Sequence, residues 1–313
     1  MVVFIALAGA AFFVYAQNEY NKVYALEASK EVMIERGSGL NKTAAILVKE
    51  GIIKNPYWFI LFARVQGVEN NLKAGEYVFA GDLSYASVLD RLAKGDVIVR
   101  SITIPEGKAL VEIKQIVAAN PYLSGEIKGD YKEGEILPET YHFTRGEERD
   151  AILEKARQAM KKELQKAYGG RVDNLPFRTP EEMLVLASIV EKETGVASER
   201  AKVASVFVNR LRLGMKLQTD PTVIYAVTQG KMDLGRPLYK RDLAYDSPYN
   251  TYVYEGLPPM PICSPGKAAL HAVAHPDNTP YLYFVADGVT GGHRFAKTLS
   301  EHNSNVAHYR QIK

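Results

Sequence analysis

"TPEEMLVLASIVEKETG", residues 179–195, reads as a helix with both of its ends written into it. Thr179 is a natural N-cap, and Glu182 three residues on completes a capping-box pattern. Pro180 fits the first helical position, where a missing N–H costs nothing. Gly195 is the expected C-terminal stop. Between these signals the run is apolar until Glu191, Lys192 and Glu193. Both glutamates share helical faces with apolar residues, Glu191 with Leu184, Ala187 and Ser188, and Glu193 with Leu186, Ile189 and Val190. A carboxylate at a helix C-terminus opposes the macrodipole. Dipole and desolvation both raise a carboxyl pKa, and a carboxylic acid kept protonated near neutral pH is what a general acid must be. A solvated, frayed helix end explains the same residues, and periodicity does not choose between the two.

Working outward, "SERAKVASVFVNRLRLG", 198–214, is the next helix, with Val203, Val206, Phe207 and Leu211 as its buried stripe. "YLYFVAD", 281–287, is a strand bounded by Pro280 and Gly288. Upstream, a charged helix is expected over about 147–168, ending at Gly169–Gly170. A strand in "VIVRSITIP" leads into a helix in "EGKALVEIKQIVAAN". Earlier still, "GSGLNKTAAILVKEGII" reads as a short helix stopped by Gly51. "GEYVF" reads as a strand leading to a helix with Val88, Leu89 and Leu92 inward and Gly95 at its end. Residues 17–36 read as a polar, helix-like connector. The expected class is α+β: a small α+β module over 37–98, after a connector at 18–36, and a larger mixed α+β domain over 99–313.

"VVFIALAGAAFFVYA", 2–16, carries no charge. A full span needs about 20 apolar residues, and no basic residue precedes the run. It is expected to be a single membrane anchor, residues 1–17, whose first turn or basic flank is missing from this chain. "VYA" before Gln17 also fits the end of a cleaved signal peptide. The chain has 313 residues, 47% hydrophobic and 24% charged, with a net charge of +3. So small a charge, with no arginine-rich stripe, gives no reason to expect nucleic acid. One cysteine, Cys263, excludes an internal disulfide. There is no HExxH, zinc spacing, GxSxG, Walker loop or dinucleotide fingerprint, so no metal and no cofactor are expected.

The candidate binding residues lie downstream. "LQTDPTVIYA" places Gln218 and Asp220 before Pro221, and "SPYNTYVYEGLPPMPICSPG", 247–266, brings Tyr249, Asn250 and Tyr252 onto a proline-rich loop. Rings stack on sugar faces, and amides and hydroxyls pair with sugar hydroxyls, so such a loop suits a carbohydrate groove. A packed loop at the edge of the core has the same composition.

Taken together, "LASIVEKETGVASERAKVASVFVNRLRLGMKLQTDPTVIY", "LPETYHF", "YNTYVYEGLPPMPICSPG", "AVAHP", "PYLYFVADG" and "GGHRFAKTLSEHN" resemble, in sequence and in order, the YceG-like family of endolytic murein transglycosylases. The resemblance implies that 37–98 is a LysM-like module and 99–313 the catalytic domain. It implies a single-pass protein of the bacterial inner membrane with its catalytic domain on the periplasmic side. The implied reaction is internal cleavage of the MurNAc–GlcNAc β-1,4 bond in peptidoglycan, leaving 1,6-anhydro-MurNAc ends and terminating nascent strands. Penicillin-binding proteins are the implied partners. It assigns catalysis to Glu191 and puts Glu193, Gln218, Asp220, Tyr249, Asn250 and Tyr252 in the substrate-binding motifs. The alternatives are a hydrolytic muramidase using Glu191 and Asp220, and a non-catalytic peptidoglycan-binding protein.

Overall fold

The computed structural model describes residues 1–312. It is a mixed α+β structure with eleven α-helices and four two-stranded sheets among the described residues. The chain divides into two compact units, Met1–Arg100 with His142–Glu147, and Ser101–Tyr141 with Glu148–Lys313.

In the first unit, α1 (Val2–Asn21) is followed by β1 (Tyr24–Ala25) and β2 (Lys30–Ile34). The stretch expected to be a helix-like connector therefore supplies two strands. The reason is a period of two that the polar composition hides: Val32 and Ile34 of β2 point inward, 1% and 2% exposed. β2 pairs antiparallel with β3 (Gly75–Phe79), Val32 opposite Tyr77, and β1 pairs with β4 (Asp82–Leu83). α2 (Leu40–Lys49) and α4 (Tyr85–Lys94) occupy the expected positions. α4 ends at Gly95 with φ +74°, where a side chain would be strained. α3 (Pro56–Val65) was not expected. Its start follows the rules, because the Asn55 side chain accepts from Tyr57 N–H and Pro56 takes the first turn. Together these elements bury Leu47, Phe59, Phe62, Tyr77, Phe79 and Leu92 in one core.

Glu76 lies within this unit at the edge of that core. Its carboxylate accepts from Arg100 at 2.8 Å and Arg145 at 2.7 Å. Burial works against ionisation there, but the two guanidiniums prevail and hold the carboxyl below its ordinary value.

In α1, Val3, Phe4, Ile5, Leu7 and Phe12–Tyr15 are exposed. Among the described residues no helix is long and apolar enough to cross a membrane. Fifteen apolar residues cover about 22 Å at about 1.5 Å each, against a hydrocarbon layer of about 30 Å. The expected single-pass anchor therefore lacks a complete span in this structure.

β5 (Val99–Thr103) pairs with β6 (Thr140–Thr144). The second unit holds α5 (Leu110–Ala118), α6 (Arg149–Gly169), α7 (Pro180–Glu193), α8 (Arg200–Arg212), α9 (Asp220–Thr228) and α10 (Lys267–Ala274). A hairpin of β7 (Tyr283–Ala286) and β8 (His293–Ala296) and the closing α11 (Leu299–Ile312) complete it. α7 is its axis. Every residue from Met183 to Val190 is buried, the mark of a helix enclosed on all sides. Met160, Phe207, Val208, Leu270 and Val273 pack in the same core.

Candidate active site

The two ends of α7 differ from the expected caps in detail. Thr179 accepts from Glu182 N–H at 3.2 Å, but the Glu182 carboxylate reaches back to Arg178 N–H at 2.5 Å rather than to the N-cap itself. At the other end Gly195 is not the stop. Thr194 turns the chain into extended backbone with φ −139°, and its hydroxyl accepts from Val196 N–H at 3.0 Å. The helix thus emerges from the core carrying Glu191 and Glu193 on sides about 160° apart.

Glu191 is half-buried and accepts from Gly266 N–H at 3.0 Å. Gly266 caps α10, so that N–H belongs to a helix N-terminus. The loop carrying Gly266 is fixed to α7 from beneath: Ser188 Oγ accepts from Ile262 N–H at 3.0 Å, and Cys263 Sγ contacts Ser188 O at 3.3 Å. Burial pushes the Glu191 carboxyl up, with Glu106 adding to the push, while Gly266 N–H pulls it down; the net direction is upward. Glu191 opens into a cleft of about 660 Å³ that also meets Glu106, Lys108, Glu112, Lys192 and Tyr225.

Glu193 is also half-buried, and its surroundings are built by four other segments. The Thr219 hydroxyl donates to its carboxylate. Burial pushes Glu193 up, Asp220 pushes it further, and His293 and Arg210 pull it down; again the net direction is upward. Asp220 is exposed at the first position of α9 and accepts from the Tyr252 hydroxyl at 2.7 Å. Burial, and then that bond, hold the Tyr252 hydroxyl well above its ordinary value. Hydroxyls lock the loop between them: Thr222 donates to Thr219 O at 2.7 Å and meets Thr251 Oγ at 2.8 Å.

The remaining candidates separate. Gln218 is exposed in a left-handed conformation with φ +50°, and its N–H is bound to Thr251 O at 3.1 Å. Tyr249 is half-buried against Tyr225, ring centroids 4.9 Å apart. Asn250 is fully buried. Its amide donates to Leu243 O at 3.1 Å and Tyr245 O at 2.8 Å, and accepts from Tyr252 N–H at 2.9 Å. With these bonds made, it braces the loop that carries Tyr252 and has no face toward a ligand.

Near Glu193, Arg210 and Glu199 were not singled out from sequence, whereas His293 belongs to "GGHRF", a stretch that could line a cleft but whose histidine alone is more often a hydrogen-bonded structural group. Arg210 is buried in α8, bonded to Leu282 O at 2.6 Å and Leu217 O at 2.8 Å, with its guanidinium 5.0 Å from the Tyr283 ring centre. His293 Nδ1 meets Glu199 at 2.8 Å, and Glu199 also accepts from His293 N–H at 3.0 Å. An arginine at helical spacing from Val203 and Phe207, on the buried stripe of α8, was the available signal. Among the described residues no group of three or more His, Cys, Asp or Glu is placed to hold a metal ion.

Comparison with known proteins places this geometry in a family. The endolytic murein transglycosylase of Bacillus subtilis strain 168 is 33% identical, covering 89% of this chain and 84% of that protein. That of Streptococcus pneumoniae serotype 2 strain D39 is 28% identical over 98% of this chain, which spans 64% of the longer pneumococcal protein. A crystal structure of a yceG-like protein from Listeria monocytogenes superposes with a TM-score of 0.52 at 28% identity, covering 89% of this chain and 99% of the other. The profile of the YceG-like family matches residues 32–308, and the chain belongs to that family.

Proposed function

We propose that this protein is an endolytic murein transglycosylase, cleaving the MurNAc–GlcNAc β-1,4 bond inside peptidoglycan glycan strands and leaving 1,6-anhydro-MurNAc ends. The names of its relatives support the reaction class. The observation that carries the assignment to a site is the gathering of Thr219, Asp220 and Tyr252 around one carboxylate at the end of α7. That carboxylate is Glu193. We therefore assign the general acid to Glu193 in preference to Glu191, the expectation from the sequence. Glu191 also has a raised pKa, but it faces Gly107 and Gly266 and meets none of the other groove candidates.

The chemistry needs one acid. Glu193, whose carboxyl burial and Asp220 push upward, donates its proton to the glycosidic oxygen of the leaving GlcNAc. The MurNAc 6-hydroxyl then attacks its own anomeric carbon and gives its proton to the Glu193 carboxylate. The C–O bond broken is replaced by the C–O bond of the anhydro ring, the acid is regenerated, and no water is consumed. An ordinary glycosidase needs two carboxyl groups flanking the bond. Asp220 beside Glu193 favours a hydrolytic muramidase as the second reading. Mass spectrometry of murein digested by the protein separates them, because anhydro ends are lighter by one water than reducing ends. Reducing ends would refute the intramolecular mechanism, and absence of any turnover would leave a peptidoglycan-binding protein.

The site of action in this reading is the periplasmic face of the bacterial inner membrane, with α1 entering the bilayer. Its cleavage would end nascent strand elongation beside penicillin-binding proteins. The exposed apolar side chains of α1 support the membrane part. Release of intact protein from membranes by alkaline carbonate alone would refute it.

A further inference from the structure

α3 was invisible to the sequence reading, and nothing in the proposed reaction uses it. It has an inner face, with Phe59, Phe62 and Ala63 in the core of the first unit, and an outer one. On the outer face Tyr57, Leu61 and Val65 stand at successive i, i+4 positions and are 79%, 37% and 72% exposed. Three large apolar side chains in line on one short helix are not the scattered surface residues of a soluble protein.

The stripe is continuous with α1. Trp58 stacks on Phe12 with centroids 6.2 Å apart and meets Tyr15 edge-on at 5.8 Å, while Tyr20 meets Phe62 at 4.9 Å. Between the two helices runs an apolar groove of about 260 Å³, lined by Phe12, Phe13 and Tyr20 on one side and Leu61, Phe62 and Val65 on the other. α1 exposes apolar side chains on all its sides. A protein partner covers one face of a helix; a surround that is apolar in every direction suits hydrocarbon. Tyr15, Tyr20 and Trp58 lie where the apolar run of α1 gives way to Gln17, Asn18 and Glu19. Aromatic residues concentrate at that level of a membrane, where one end of the ring is apolar and the other wet.

We propose that α3 is a second membrane contact of the first unit, lying in the interfacial layer of a phospholipid bilayer with Tyr57, Leu61 and Val65 turned to lipid. This rests on the reading that α1 enters the bilayer, and it adds that the module behind α1 is seated on the surface instead of standing clear of it.

The sequence supplies its own reporters. Trp58 is the single tryptophan, and the single cysteine, Cys263, is buried, so a thiol-directed dye marks an introduced cysteine. The full chain is reconstituted into vesicles of phosphatidylethanolamine and phosphatidylglycerol, with or without lipid carrying a nitroxide near the headgroup. Three variants carry the dye: Leu7→Cys in α1, Val65→Cys in α3, and Glu35→Cys on an exposed loop. Quenching of Val65→Cys together with Leu7→Cys, and not of Glu35→Cys, is the expected result, with Trp58 of the unsubstituted chain also quenched. If Leu7→Cys is quenched while Val65→Cys behaves like Glu35→Cys, the anchor stands and this proposal falls. If neither is quenched, the anchor reading falls and takes the proposal with it. Disulfide-linked dimers of Val65→Cys without lipid quenching would assign the face to a second copy of the chain.

Discussion

Asn250→Ala separates a brace from a substrate contact, and the structure sets the size of the effect. The side chain is fully buried and makes three hydrogen bonds, to Leu243 O, Tyr245 O and Tyr252 N–H. A net value of about 1 kcal/mol for each gives a loss of about 3 kcal/mol. For a unit of this size about 1 kcal/mol moves the melting temperature by about 2–4 °C, so a fall of about 6–12 °C is expected. Tyr252 should then lose its place on Asp220, and turnover should fall with it. Asn250→Asp keeps the acceptor for Tyr252 N–H but presents an ionised carboxylate to two carbonyl oxygens, and should be at least as destabilising as alanine. Thermal unfolding followed by circular dichroism, beside release of soluble fragments from murein, measures both effects. An Asn250→Ala protein that melts like the wild type yet turns over slowly would refute the brace and restore the substrate contact.

Glu193→Gln should fold and bind glycan but lose about 10²–10⁴-fold in fragment release, whereas Glu191→Gln should be much milder; the reverse order would return the acid to Glu191. Because burial raises the Glu193 carboxyl, its folded state holds the proton more tightly than the unfolded chain. The stability this contributes is present at low pH and is lost as pH rises through the raised value, so Glu193→Gln should melt no lower than wild type at alkaline pH. A markedly lower melting temperature there would contradict that environment. Glu76 has the opposite sign: its lowered carboxyl contributes stability above its unfolded value that is lost on acidification, and Glu76→Ala should cost about 1.5–3 kcal/mol by removing the buried carboxylate that Arg100 and Arg145 share. Equal acid sensitivity in Glu76→Ala and wild type, read by circular dichroism, would count against it. Gly134→Ala should destabilise the second unit, because φ is +81° and a Cβ would lie 2.7 Å from the Pro261 ring; a soluble variant with unchanged melting would show that this turn relaxes freely.

What the sequence made legible follows the range over which each signal acts. α2, α4, α7 and α8 were read because their apolar spacing and stop signals sit within one stretch of chain. α3 was missed although Asn55 and Pro56 announce it, since "YWFILF" is unbroken by polar residues and has no period to read. β2 was missed because five residues of a half-buried strand are easily taken for a polar connector, and β6 because its partner β5 lies some forty residues earlier. The site divides along the same line. That the end of α7 carries two candidate acids could be read locally. Which of its two carboxylates sits beside Thr219 and which beside Gly266 could not, because Thr219 lies 26 residues from Glu193 and Gly266 lies 75 residues from Glu191. Residue type at Asn250 was equally silent, since a buried amide and a ligand-binding amide are the same amide turned in opposite directions. A helix enclosed on every side has only its ends free to face solvent and substrate, and at the end of α7 one turn offers two acids to two different surroundings. The fold therefore gives each acid its own surroundings through the loops it brings to each side, and a sequence pattern that names both glutamates leaves that difference to the packing.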